Sequence, residues 1–213
     1  MRARAFLDQN GKSSLSHTHN MDERSSWNAK FSSESHTSLD PDPLLVAAFA
    51  EYIERLLASS DQKRALDIAG GVGRHALYLA EHGWTTTLID ISDKGIELAK
   101  GNAQQRGIKI DFRNEDLRFA DLGWGVYELI LVFFYLQREL YPALIRALAP
   151  GGILIYKTYT QDHPCLSGGK GPTHPMHLLE PNELLKVFSS LHVLFYRETV
   201  ANKGVAELVA RKL

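Results

Sequence analysis

Three glycines in four residues, within Ala69-Gly70-Gly71-Val72-Gly73, lie between two acids, Asp67 and Asp90, and are followed at once by Arg74. A turn of this composition lets main-chain N–H groups come up against a ligand that side chains would hold away. The acids add hydrogen-bond acceptors and negative charge. Asp67 lies in a short apolar run, residues 65–68, and Asp90 ends a second, residues 87–89; both have the length of a buried strand. Between them Leu77 and Ala80 share one helical face, and Gly83 is placed as a stop. Strand, glycine turn, helix, strand and acid make up half of a nucleotide-binding βαβ unit. A pyrophosphate on the turn would be repelled by Asp67, whereas a cationic nucleoside would be attracted. S-adenosylmethionine carries a sulfonium, an ammonium and a ribose diol, with no phosphate, and the charges favour it.

Other reactive side chains collect in the longest irregular stretch, residues 158–179, which holds His163, Cys165, His174 and His177. A connection this long in a compact domain usually serves a function or is disordered. The Cys-x8-His-x2-His spacing matches no common zinc pattern, so no metal is expected. His163 and His174 are instead candidates to orient an acceptor or take its proton. Tyr135, at the end of the apolar run 127–135, is a third candidate. No nucleophile elbow or triad order is present. Trp27 and Phe31 either anchor the N-terminal segment or cover the cofactor, where an aromatic face on a sulfonium gains roughly 0.5–2 kcal/mol. Arg74 has two readings as well, a ligand for the cofactor carboxylate or a cap on a local carbonyl.

The elements that must hold these residues alternate between strand and helix. Residues 1–24 are rich in Ser, His, Asn and charge without a period and read as a disordered tail, leaving 25–213 as the domain. Gly11-Lys12-Ser13 lacks the upstream glycine and strand of a P-loop, and His17 and His19 read as solvated tail residues. Trp27 to Phe31 precede the first helix, which Asp42-Pro43 opens and which runs to about residue 58. Ser92 caps a second βαβ helix that Gly107 stops. Strands follow at 108–112, 127–135 and 153–157, with a helix over 140–148. A last helix over 182–190 leads into strands 191–200 and 205–213, joined by Asn202-Lys203-Gly204 as a hairpin.

These motifs resemble the class I S-adenosylmethionine-dependent methyltransferases over about residues 42–213. DIAGGVG is similar to their first motif, with Ala69 where the first glycine is usual, and GRHALYLA is similar to the small tellurite-resistance-type and thiopurine-type branches. The resemblance implies a Rossmann-like, seven-stranded, mostly parallel α/β sheet with helices on both faces and an antiparallel last strand. It further implies that Asp90 holds the ribose hydroxyls and that Asp116 accepts from the adenine amino group while the Leu117 N–H serves the ring. Trp27, Asp67, Ala69, Gly70, Gly71, Gly73, Arg74, Ile91 and Phe133 complete the cofactor set. The Ala149-Pro150-Gly151-Gly152 turn is another shared hallmark, structural in role. Amino-methylating enzymes that act on adenine or glutamine carry an Asn/Asp-Pro-Pro-aromatic run where this chain has Phe133-Phe134-Tyr135, which argues against that chemistry.

Composition narrows the rest. The 213 residues carry a net charge of −1, which offers no general attraction to nucleic acid or an anionic membrane. The lone Cys165 excludes an internal disulfide and fits a reducing, cytoplasmic compartment. No apolar run approaches the roughly 20 residues of a membrane span. The expectation is a methyltransferase acting on an N, O or S atom, with a small-molecule acceptor favoured over a protein. Two alternatives stay open: an NAD(P)-dependent oxidoreductase, since Gly71, Gly73 and Ala76 partly fit that fingerprint, and a non-catalytic module that binds S-adenosylmethionine.

Overall fold

A computed structural model describes residues 14–33, 37–58, 62–166, 168, 171–201 and 203–213, and of residues 14–22 the backbone alone. The Gly-Lys-Ser sequence at 11–13, the side chains of His17 and His19, and parts of the 158–179 and hairpin turns lie outside the described residues. Seven strands form one sheet: β1 Arg64–Ile68, β2 Thr85–Asp90, β3 Asp111–Asn114, β4 Tyr127–Phe133, β5 Leu148–Tyr159, β6 His192–Thr199 and β7 Val205–Arg211. Their order is β3-β2-β1-β4-β5-β7-β6. The first five run parallel, and β7 is antiparallel to both β5 and β6. The helices are α1 Ser14–Ser32, α2 Pro43–Ala48, α3 Glu54–Leu56, α4 Arg74–Glu81, α5 Asp93–Gln105, α6 Tyr141–Ala147, α7 His163–Leu166 and α8 Glu183–Val187.

The central strands are apolar throughout because helices cover both faces. All seven residues of β4 are buried, among them Leu129, Ile130, Leu131 and Val132 with no exposure. Alternate residues of one strand therefore feed two different cores. Ile130 and Val132 pack with Leu154, Tyr156 and Phe188 on one face, and Leu129 and Leu131 with Leu45, Ile53 and Ile155 on the other. Strand pairing β1–β2 and β1–β4 carries Asp67 and the following turn to the sheet's C-terminal edge, at the point where the strand order reverses. Open α/β sheets bind ligands there.

Several boundaries move from their sequence-based positions. Trp27 and Phe31 lie inside α1, and that helix also covers residues 14–24, which composition had assigned to a tail. Strand β3 starts at Asp111, later than expected, because it is the pairing with residues 87–90 that sets its extent. The helix opened by Asp42 includes a π-helical turn at Phe49–Ile53 before α3. Asp42 caps it as expected, its carboxylate accepting from the Leu44 N–H at 2.9 Å.

Candidate functional site

The turn between β1 and α4 needs left-handed backbone at Gly71 (φ 55°) and Gly73 (φ 85°), and Gly73 opens α4. Ala69 adopts φ 53° as well, in a region costly for a side chain, at the position where the resembled family has glycine. The turn N–H groups go to definite partners. Gly71 donates to Asp90 Oδ2 at 2.8 Å, and Ser92 donates to Asp90 Oδ1 at 2.8 Å. Each Asp90 oxygen thus takes one main-chain hydrogen bond and keeps acceptor capacity for a ligand. Burial pushes the Asp90 carboxyl up, against the pull of those two donors.

A cavity of about 470 Å³ opens over this turn. Ten of the twelve cofactor-site residues expected from the sequence line it: Trp27, Ala69, Gly70, Gly71, Arg74, Asp90, Ile91, Asp116, Leu117 and Phe133. Asp67 and Gly73 do not. Asp67 is 1% exposed and lies behind the turn, where its Oδ2 accepts the Ala76 N–H at 3.2 Å and would touch any Cβ added at Gly70. Burial pushes its carboxyl up to about 7, opposed by the Ala76 hydrogen bond and the Arg74 charge. Asp67 lies behind the turn and fixes it through Ala76, and Asp90 is the acid on the cavity wall. Gly73 packs against Leu88 and Ala99.

Asp116 forms a two-pronged pair with Arg118, whose Nη2 lies 2.7 Å from Oδ2 and whose N–H and Nε reach Oδ1. Burial raises this carboxyl, and the Arg118 hydrogen bonds outweigh burial and hold it below its ordinary value. The Arg74 guanidinium, also on the cavity lining, makes no ion pair among the described residues. Phe134, on the cavity lining, is held at φ 56°, its N–H donating to the Lys157 carbonyl at 2.7 Å. Strain of this kind, in a non-glycine residue on a cavity wall, clusters at functional sites.

Of the three candidates for chemistry, Tyr135 lines the cavity. Its hydroxyl donates to Gln137 Oε1 at 2.6 Å, and burial raises its pKa. His163 is buried and is not among the residues lining the cavity, its ring 4.1 Å from that of Tyr159, and a Cβ built on Gly171 would come within 2.6 Å of its Nε2. His174 is exposed and accepts the Met176 N–H on Nδ1 at 3.3 Å, as the cap of a short 3-10 turn. Among the described residues no group of three or more His, Cys, Asp or Glu could hold a metal ion.

Glu23, Thr37, Ser38, Val72, His75 and Phe134 also line the cavity and were not read as site residues. Glu23 lies in the stretch taken for a tail, and Thr37 and Ser38 sit in a connection without a period. His75 is 3% exposed, its Nδ1 4.0 Å from Asp67 and its ring 4.1 Å from that of Phe133. Its Nε2 is buried with no hydrogen-bond partner among the described residues, and burial keeps the imidazole neutral. One signal for it was available, its position immediately after the arginine that opens α4.

Residues 65–152 match a protein-family model described as a methyltransferase domain. The chain is 26% identical over 118 residues to the ubiquinone biosynthesis O-methyltransferase of Bordetella avium, covering 53% of this chain and 49% of that one. The enzyme of the same description from a Caulobacter species is 29% identical over 114 residues, covering 50% and 45%. The chain thus spans about half the length of the curated relatives it matches. In fold it resembles TehB of Haemophilus influenzae, with a TM-score of 0.65 at 20% identity over 88% of this chain and 67% of that one. It also resembles the magnesium protoporphyrin IX methyltransferase of Synechocystis, solved with bound S-adenosylhomocysteine, with a TM-score of 0.65 at 16% identity over 91% and 99%. The family-model match runs from β1 into β5 and takes in the glycine turn, and the solved structures share the fold of the sheet.

Proposed function

We propose that this methyltransferase domain moves the methyl group of S-adenosylmethionine to an N, O or S atom of a small-molecule acceptor. The observation that carries the reading is Asp90. Its carboxylate is fixed by one N–H from each flanking segment and stands on the cavity wall, suited to a ribose diol. Asp116 and Leu117 on the same wall would serve an adenine edge, unpaired Arg74 suits an α-carboxylate, and Trp27 and Phe133 would offer aromatic faces to a sulfonium. When bound, S-adenosylmethionine supplies an electrophilic methyl, which the acceptor's lone pair takes in line as the carbon–sulfur bond breaks.

The chain's own work is positioning and exclusion of water. Tyr135 donates its proton to Gln137 and has a raised pKa, so it serves as a wall that orients the acceptor and not as a base. Burial holds the His75 imidazole neutral, and its unpartnered Nε2 belongs to a ring on the cavity wall. The matched relatives are ubiquinone biosynthesis O-methyltransferases and one structural neighbour is a porphyrin methyltransferase, which supports a small acceptor. Free Cys165 agrees with a reducing, cytoplasmic setting, and no helix among the described residues is long and apolar enough to cross a membrane.

The test is a methyl-transfer screen with thiol, amine and hydroxyl acceptors, read by release of S-adenosylhomocysteine and paired with calorimetry. Turnover of at least one acceptor is expected. Binding without turnover of any acceptor would make the chain a binding module and overturn the catalytic half of the reading.

A further inference from the structure

His75 is a buried polar side chain with one nitrogen to spare. It is 3% exposed, yet it belongs to the cavity lining, its ring 4.1 Å from that of Phe133, which is a lining residue too. Nδ1 faces Asp67 Oδ1 at 4.0 Å, too far for a hydrogen bond but near enough for the carboxylate to set the tautomer. A negative oxygen on that side favours the proton on Nδ1, which leaves Nε2 a lone pair on the ring edge away from Asp67. Nε2 has no hydrogen-bond partner among the described residues. An unpartnered polar atom inside a protein calls for an explanation, and a donor on a ligand supplies one.

S-adenosylmethionine carries two charged groups on one carbon, a carboxylate and an ammonium. Unpaired Arg74 suits the first. Three acids line the cavity, and each is engaged elsewhere. Asp90 is held for a diol, Asp116 is paired with Arg118, and Glu23 adds its charge beside Asp90, Arg118 and Tyr135. Asp67, the acid that spacing offered to the ammonium, is behind the turn, and its carboxylate faces His75. An imidazole can accept from an ammonium only while it is itself uncharged. Burial first, then the charges of Arg74 and Lys157, keep it so. Lys157 does not repel the ligand unopposed, because Asp42 at 2.9 Å and Glu207 at 3.0 Å neutralise it.

We infer that His75 is the positioning residue for the ligand's α-ammonium: its Nε2 accepts an N–H of that group while Arg74, its neighbour in the chain, takes the carboxylate. The inference rests on the reading that this cavity takes S-adenosylmethionine and its product. Arg74 and His75 together then read a zwitterion, which a nicotinamide dinucleotide does not offer.

Calorimetry of the whole chain tests it with three probes: S-adenosylhomocysteine, its analogue without the amino group and its analogue without the carboxylate. His75→Phe keeps a ring against Phe133 and removes the acceptor, and His75→Gln offers an oxygen instead. His75→Phe should weaken S-adenosylhomocysteine and the decarboxylated analogue at least about tenfold, as for a hydrogen bond to a charged group, and the deaminated analogue by no more than about twofold. His75→Gln should recover part of the loss. A merely structural His75 would weaken all three probes alike, and a contact with the carboxylate would spare the decarboxylated analogue. Either pattern, or no loss with any probe, overturns the assignment while the cofactor reading stands. Should the variants fail to fold, the nitrogen NMR resonance of Nε2 in the wild type decides. It should be of the unprotonated kind and should shift with S-adenosylhomocysteine but not with the deaminated analogue; any other pattern overturns the assignment. If calorimetry finds no binding of S-adenosylhomocysteine by the wild type, the cofactor reading falls and this inference with it.

Discussion

Asp90 and Asp67 have the same side chain and opposite situations. Asp90 has a main-chain donor on each oxygen and a cavity in front of it, so its charge is held where a ligand can use it. Asp67 has one donor, the Ala76 N–H, and no access to the cavity. Its carboxyl titrates near 7 in the folded chain, so between about pH 4 and 7 the folded state keeps a proton that the unfolded chain has lost. That contribution is full below pH ~4 and fades as pH rises to ~7, a change of roughly 4 kcal/mol at about 1.4 kcal/mol per pH unit. Asp67→Asn keeps an acceptor for Ala76 and removes the charge. The variant should lose stability less than the wild type between pH 4.5 and 7.5 in urea melts, with cofactor affinity changed by no more than a few fold. Equal pH dependence in both would show that Asp67 titrates normally. Sequence alone singled out both acids by their place before the turn and at the end of the second strand. It assigned the charge selection to Asp67 because spacing says that an acid precedes the turn, and says nothing about which side of the turn the carboxylate occupies.

At the scale of elements, the strands and βαβ helices were legible because their periods and stops are local. Gly83 and Gly107 take positive φ where they end their helices, and Ser92 caps α5 as its position implied. Helix α1 was not legible, because its composition is that of a solvated segment and its useful stripe, Glu23, Trp27 and Phe31, acquires meaning through Gly71 and Gly95 far along the chain. The 158–179 connection owes its path to a distant group too. Arg138 donates to both oxygens of Glu183 at 2.8 Å and to the carbonyls of Met176 and Leu178 at 3.2 and 3.0 Å, while Tyr141 donates to Glu183 at 3.0 Å. Arg138→Met should destabilise the fold by about 2–3 kcal/mol, by stranding a buried carboxylate, less than for a fully buried pair because the arginine is partly in solvent. A thermal melt within 1 °C of the wild type would show that the pair contributes nothing.

For the whole molecule, the strand order β3-β2-β1-β4-β5-β7-β6 places the switch between β1 and β4 under the cavity and sends the antiparallel β7 to the far side, beside β5. The central claim is that this cavity, with Asp90 as its diol acceptor, selects a sulfur nucleoside over a dinucleotide. Its most direct test is calorimetric titration of wild type and Asp90→Ala with S-adenosylhomocysteine, NADH and NADPH. The wild type should bind S-adenosylhomocysteine alone, saturably, and Asp90→Ala should lose at least about a hundredfold in affinity, roughly 3 kcal/mol, while still melting cooperatively. Binding of a dinucleotide in place of the sulfur nucleoside, or undiminished affinity in Asp90→Ala, would contradict it.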